Sequence, residues 1–314
     1  MFLFVFRFIF VVCLKTKSFI MIDKFLQYVK YEKRYSEHTS ISYETDLRQF
    51  AEYFEKSRSK EFDPRIIETN DIREWIVALM RQGDKSSSVN RKLSALKSFY
   101  KFLMKVGYVQ HNPMKQVVSP KKEKRLPVFL REGELDELLD DIKDAFSSDF
   151  DGVRDKLVIE SFYNLGIRLS ELIGIEDKDV DLLNRVVKVT GKGNKQRIIP
   201  FGKSLEESMR EYLTIRRVTT GTEGPFFQKE DGLPMYPMMV YRIVNKYLKY
   251  VSSQKKKSPH VLRHTFATAM LNNGAEINAV KELLGHANLS ATEVYTHTTF
   301  EQLQKIYKQA HPRA

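Results

Sequence analysis

Residues 185–201 read RVVKVTGKGNKQRIIPF. Two β-branched runs, Arg185 to Val189 and Arg197 to Phe201, flank the segment Thr190-Gly191-Lys192-Gly193-Asn194-Lys195. Val and Ile suit a pleated surface, and Gly and Asn supply a turn, so the stretch predicts an antiparallel hairpin with Lys192 at its tip. Around it the apolar period changes to 3.6. Leu135, Leu138, Leu139 and Ile142 mark one helix, and Val153, Leu157, Val158, Phe162 and Leu165 another. Further helices are expected around Leu205–Arg216, Met238–Val251, Val261–Leu271, Ile277–Leu284 and from Ala291 onward. The hairpin thus belongs to a mainly helical domain with a small antiparallel sheet. No self-similar period points to a repeat architecture.

Upstream the composition changes. Residues 85–125 hold eleven basic residues and one acid, Glu123, and are followed by Glu132, Glu134, Asp136, Glu137, Asp140, Asp141 and Asp144. The reversal falls at SPKKEKRLP, where Pro120 and Pro127 bracket a lysine run, and reads as a linker over residues 119–126. It separates a first domain, 21–118, from a second, 127–314. The first domain is expected to be a four-helix bundle. One helix carries Tyr43, Leu47, Phe50, Ala51 and Phe54 after Thr39 and Ser40; another carries Ile72, Trp75, Ile76, Leu79 and Met80 after Asp71. A further one carries Val89, Leu93, Leu96, Tyr100 and Leu103 after a Ser86-Ser87-Ser88 cap, with Arg91, Lys97, Lys101 and Lys105 beside its apolar stripe. A solvated surface is the ordinary reading of such cations. Their continuation through Lys121, Lys122, Lys124 and Arg125 favours a nucleic-acid backbone footprint.

The chain has 314 residues, a net charge of +12 and a single cysteine. That length suits two domains, and one cysteine excludes a disulfide framework and a Cys-x-x-Cys zinc site. The charge permits a polyanionic partner without naming one. Residues 1–20 stand apart: Met1 to Leu14 is an apolar run broken by Arg7, shorter than the about 20 residues a membrane span needs and without the cleavage site of a secretory signal. Helical periodicity begins at Met21, so a start assigned too early, with Met21 as the initiator, is the expected reading; a short tethering leader is the rival.

Candidate chemistry lies in the second domain. His260-Val261-Leu262-Arg263-His264 follows Pro259 at an expected helix start. His260 and His264 share a face, yet no glutamate stands between them to act as base, so no metal site is expected. His260 and Arg263 at a helix N-terminus instead suit a phosphate, which the arginine fork matches. Arg168 sits after Gly166 with Glu171 three residues on, able to orient it. Lys192 lies between two glycines, and His286 follows Leu284-Gly285, with Tyr295 nine residues later. Singly, each has an ordinary explanation as a salt bridge, a turn, a helix cap or a core side chain.

Together, GIRLSEL with Arg168, TGKGNKQR with Lys192, the His-x-x-Arg of His260 and Arg263, LLGHANLSAT with His286 and EVYTH with Tyr295 resemble, in order and spacing, the tyrosine recombinases of the phage integrase family. The likeness extends over nearly the whole chain from Met21 and is closest to the Xer subgroup, XerC- and XerD-like, including the ending Ala310-His311-Pro312-Arg313-Ala314. The resemblance implies a helical core-binding domain followed by a catalytic domain. It implies Tyr295 as a nucleophile forming a 3′-phosphotyrosyl link, Arg168 and Arg263 on the nonbridging oxygens, Lys192 as acid at the departing 5′-oxygen, and His286 and His260 assisting. It implies double-stranded DNA as substrate, two sites joined in a homotetramer or in a heterotetramer with a second recombinase, exchange of the Phe300–Ala314 tail between protomers, and activation by a DNA translocase such as FtsK. It implies chemistry needing no cofactor, at a dif-like site during chromosome partition in the cytoplasm. A mobile-element recombinase, a type IB topoisomerase-like enzyme and a helix-turn-helix regulator are the alternatives; the last leaves Arg168, Lys192 and Tyr295 without a joint role.

Overall fold

In a computed structural model of the chain the described residues are 19–121, 129–131, 133–142, 145–191, 193–221, 223–252, 257–285 and 300–314. The expectations for residues 1–18 of the leader, Lys122, Lys124, Arg125, Lys192, His286, Tyr295 and a helix opening at Ala291 lie outside them. The chain divides into two compact units, Met1–Arg125 and Leu126–Ala314.

The first unit is helical in its described part. Helix α1 covers residues 19–27 and runs on as a π-helical turn at Tyr28–Glu32; α2 spans Glu37–Arg58, α3 Thr69–Arg81 and α4 Ser86–Lys105. Their apolar stripes bury Ile22, Phe25, Leu47, Phe50, Ile72, Trp75, Leu96 and Phe99 in one core, where the Phe50 and Trp75 rings lie 4.9 Å apart. Truncating either ring would cost about 3–5 kcal/mol. The starts of α2, α3 and α4 differ from the sequence expectation: α2 is capped by Ser36, which places Thr39 and Ser40 inside it. Asp71 does not precede α3 but sits in its first turn, where its carboxylate reaches back to accept from the Glu68 N–H at 2.8 Å and satisfies a donor the helix leaves open. The serine run lies inside α4, where the N–H groups of Ser88 and Val89 donate to the Lys85 carbonyl.

The second unit is built around α6 (Phe150–Leu165), buried on nearly every side among α8 (Lys203–Thr219), α9 (Pro237–Val251) and α10 (Pro259–Asn272). The helix expected over Leu135–Ile142 is present at residues 134–141 but changes type: α5, at Glu134–Asp136, widens into a π-helical turn at Glu137–Asp141, and Ile142 is extended. The sheet is antiparallel, β1 (Val180–Asp181), β2 (Val186–Thr190) and β3 (Gln196–Pro200) in sequence order, with Val187 opposite Ile199. The β2–β3 hairpin agrees with the expectation; β1, two residues long, adds an edge. Helices α11 (Ile277–Leu284) and α12 (Phe300–Ala310) pack on α10. The C-terminal segment lies on its own unit: His311 stacks on Tyr307 at 4.8 Å, and Arg313 pairs with Asp136 at 3.1 Å and Asp140 at 2.6 Å. No helix among the described residues is long and apolar enough to cross a membrane.

Candidate active site

Glycine ends α6. Gly166 adopts φ +57°, and a Cβ there would stand 2.4 Å from Cδ1 of Phe266, so only glycine lets the chain turn while α10 approaches this closely. The turn delivers Arg168 to the N-cap of α7 (Leu169–Ile173) and places Glu171 in its first turn. The Glu171 carboxylate accepts from the Arg168 backbone N–H at 2.7 Å and from Arg168 Nη1 at 2.7 Å, as a carboxylate meant to orient that arginine should.

Glu171 serves more than Arg168. Arg197, on β3, donates Nη1 and Nη2 to its two oxygens, each at 2.9 Å, and Arg263 Nη1 lies 3.8 Å away. The same three arginines reach the end of α11: Arg197 Nε donates to the Leu283 carbonyl at 2.6 Å, Arg263 Nη2 to Leu284 at 2.7 Å, and Arg168 Nη2 to Gly285 at 3.2 Å. Carbonyls at a helix C-terminus lack intrahelical donors and carry the negative end of its dipole, so they attract cations. Gly285 closes α11 with φ +65°, and a Cβ on it would lie 2.9 Å from Arg197 Nη1.

The electrostatics follow from this packing. Burial opposes charge on Glu171, but the side-chain hydrogen bonds of Arg197, the backbone N–H of Arg168 and the charge of Arg197 prevail and hold its pKa down at about 2. Arg263 is pushed the other way, to about 10, by burial and then by the neighbouring charge of Arg168. It remains a cation at neutral pH. Arg263 donates Nη1 to the Gly166 carbonyl at 2.6 Å, so its described contacts use two of its five N–H groups. Arg168 is about one-third exposed.

The expected site residues fall as follows. Arg168 and Arg263 come together, although 95 positions separate them in sequence. Lys192 and His286 are outside the described residues, but their neighbours are not. A Cβ on Gly191 would stand 3.1 Å from Glu171 Oε1 and 3.9 Å from Arg168 Nη1, and Gly285 accepts directly from Arg168. His260 and His264 are exposed on the first turns of α10, while Arg263 between them turns inward. Among the described residues no three His, Cys, Asp or Glu side chains gather to hold a metal ion. In the first unit Lys97, Lys101 and Lys121 are exposed, Arg91 pairs with the buried Asp46, and Lys105 lies 3.4 Å from Glu32. Sequence reasoning missed Arg197. Its register was the available signal: it shares a strand face with the buried Ile199, and an arginine aimed inward requires a buried acid.

The profile of the phage integrase family matches residues 128–302, and that of the family's N-terminal SAM-like domain matches residues 22–107. The chain belongs to the phage integrase family, the tyrosine recombinases. Among its relatives, the tyrosine recombinase XerC of Chlorobaculum tepidum is 40% identical over 317 residues, covering 93% of this chain and 94% of its own. The XerC of Staphylococcus saprophyticus is 40% identical over 291 residues, covering 92% and 96%. The XerH site-specific recombinase, solved bound to its difH substrate before cleavage, is 25% identical with a TM-score of 0.66 over 85% of this chain and 78% of that one. The recombinase is thus of the Xer type, with the guanidinium cluster in the unit that the integrase profile covers.

Proposed function

We propose that this recombinase cuts and rejoins duplex DNA through Tyr295, at the phosphate that Arg168 and Arg263 receive. The observation that carries the reading is their convergence beside Gly191 and Gly285, the residues that adjoin Lys192 and His286 in sequence. Two guanidiniums, the buried one of Arg263 and the partly exposed one of Arg168, held in advance on one carboxylate and three carbonyls, form a ready-made clamp for developing negative charge.

In the proposed step the Tyr295 oxygen attacks the phosphorus, its proton passing to a base at the His260 position, and the bond from phosphorus to the 5′-oxygen breaks. Lys192 gives its proton to that oxygen, leaving a 5′-hydroxyl, a neutral amine and a 3′-phosphotyrosyl diester. His286 donates to a nonbridging oxygen. The reverse sequence, with the 5′-hydroxyl of a second strand as nucleophile, reseals the backbone and returns both protons. The diester bond count is unchanged, so strand transfer runs without an external energy source.

The XerC relatives and the DNA-bound XerH favour an Xer role: resolution of chromosome dimers at a dif-like site in the cytoplasm, by four protomers on two DNA sites. A second recombinase and an activating translocase belong to the same reading. Lys97, Lys101 and Lys121 are the exposed cations proposed to follow the DNA backbone, joined by Lys122, Lys124 and Arg125 of the linker. Tail exchange would require His311 and Arg313 to leave their present partners for the same ones on a neighbouring protomer.

A nicked suicide substrate tests the assignment. Tyr295→Phe should abolish the covalent protein–DNA adduct while site binding stays within a few-fold, and persistent adduct would remove Tyr295 as the nucleophile. Recombination between two cloned sites separates this function from that of a topoisomerase, which relaxes supercoils without joining sites.

A further inference from the structure

Arg197 belongs to none of the roles above, yet it joins three elements. From β3 its guanidinium forks onto Glu171 of α7 through Nη1 and Nη2, both at 2.9 Å, and its Nε reaches the last turn of α11 at the Leu283 carbonyl, 2.6 Å away. Its side chain is 14% exposed. The two glycines that adjoin the arm fit tightly: a Cβ on Gly285 would meet Arg197 itself, and one on Gly191, two residues beyond Arg197's cross-strand partner Val189, would meet Glu171. Gly191 also donates its N–H to the Lys195 carbonyl at 2.8 Å, so the hairpin closes immediately beyond the point that Arg197 ties down.

We propose that Arg197 is a positioning residue for the cleavage reaction, fixing the hairpin that bears Lys192 against the phosphate-clamping arginines and the end of α11. Stability alone is a weak reason for such a group, because a buried ion pair is commonly matched or exceeded by apolar packing of the same volume. Geometry is the stronger reason. A planar fork with a third donor at Nε sets both distance and angle between β3 and α7, which a lysine's single ammonium does not. A general acid gains its advantage only within hydrogen-bond reach of the leaving oxygen, so a hairpin that pivots loses it.

The inference rests on Lys192 being the acid, and the experiment separates the two. Full-length protein, with Arg197→Ala, Arg197→Lys or Lys192→Ala, is mixed in single-turnover excess with two suicide substrates, one with the natural 5′-oxygen and one with a 5′-bridging sulfur, whose departure needs no proton. Arg197→Ala should slow adduct formation on the oxygen substrate by about 10²- to 10⁴-fold, the usual worth of a positioned acid, and return to within about fivefold of the parent on sulfur. Arg197→Lys should behave like Arg197→Ala, and site binding should stay within a few-fold in both. If Arg197→Ala loses its folded circular dichroism spectrum, Arg197→Lys is read in its place. A defect equal on both substrates, or no defect on oxygen, overturns the positioning role. Lys192→Ala sets the scale: if sulfur does not rescue it, the acid assignment fails, and if sulfur rescues it but not the Arg197 variants, the coupling fails while the acid stands.

Discussion

Replacing Glu171 with glutamine tests the central cluster while leaving its shape in place. The carboxylate is 1% exposed and accepts four hydrogen bonds, two from Arg197 and two from Arg168. Glutamine offers one carbonyl oxygen, and its amide turns N–H donors toward guanidinium donors. The carboxyl pKa is lowered from 4.5 to about 2, which at about 1.4 kcal/mol per unit corresponds to roughly 3 kcal/mol of stability at neutral pH. Removing one partner of a buried ion pair independently suggests about 3–5 kcal/mol. For a unit of this size, 3 kcal/mol lowers Tm by about 6–12 °C. Trp75, the chain's single tryptophan, lies in the core of the first unit, so its fluorescence follows that unit, while far-UV circular dichroism follows both. The loss should appear in the second signal. Because folding depresses this pKa, the unfolded chain takes up the proton first. The stabilisation is whole above about pH 4.5 and fades as pH falls toward 2, so the gap between parent and Glu171→Gln should narrow by about 1.4 kcal/mol at pH 3.5. A Tm change under 2 °C, or a gap that stays constant from pH 7 to 3.5, would refute the reasoning.

Two further outcomes are expected. Replacing Lys97 and Lys101 together with alanine should weaken binding to specific and nonspecific DNA alike and flatten the plot of log affinity against log salt by about 1.8, near 0.9 per phosphate contact; an unchanged slope returns both to the solvated surface. His311 is held near pKa 4 by burial, with the Arg313 charge adding to the effect, so its neutral form supports the folded tail: the contribution is present above about pH 6.5 and is lost as pH falls toward 4. Hydrogen exchange of the α12 amides, corrected for intrinsic rate, should accelerate between pH 7 and pH 5 and lose that dependence in His311→Gln.

Local pattern carried much of this structure and long-range pairing little of it. Helix α11 begins and ends where Ile277 and Leu284 indicated, because one side of it is apolar and buried and Gly285 marks its end. The β2–β3 hairpin was legible for a local reason too: its strands are β-branched runs and its turn is rich in glycine. Strand β1 was not, since two residues cannot display a period. Nor was the change of helix type after α5, where Leu135, Leu138 and Leu139 are buried as a helical stripe would have them but the backbone has widened into a π turn. At the site, the pairing of Arg168 with Glu171 follows from a spacing of three residues. That Glu171 also binds Arg197, 26 positions away, and stands beside Arg263 follows only from the tertiary fold, which brings side chains of β3 and α10 to it. Arg91 shows the converse: it has the spacing of a surface cation, yet it is engaged by Asp46 of the neighbouring helix.

Counting charges in the cluster has a consequence for the direction of the reaction. Arg168, Arg197 and Arg263 set against Glu171 leave two positive charges in excess. A phosphodiester in DNA carries one negative charge, and so does the phosphotyrosyl diester that the proposed chemistry forms. The phosphorane between them, made from a diester and a phenolate, carries two. Against these four groups alone the charge is matched only at the crest of the reaction, and substrate and covalent intermediate are under-compensated by them to the same extent. These four groups therefore favour neither the cut nor the sealed state, and a bias in the direction of strand exchange comes from outside them.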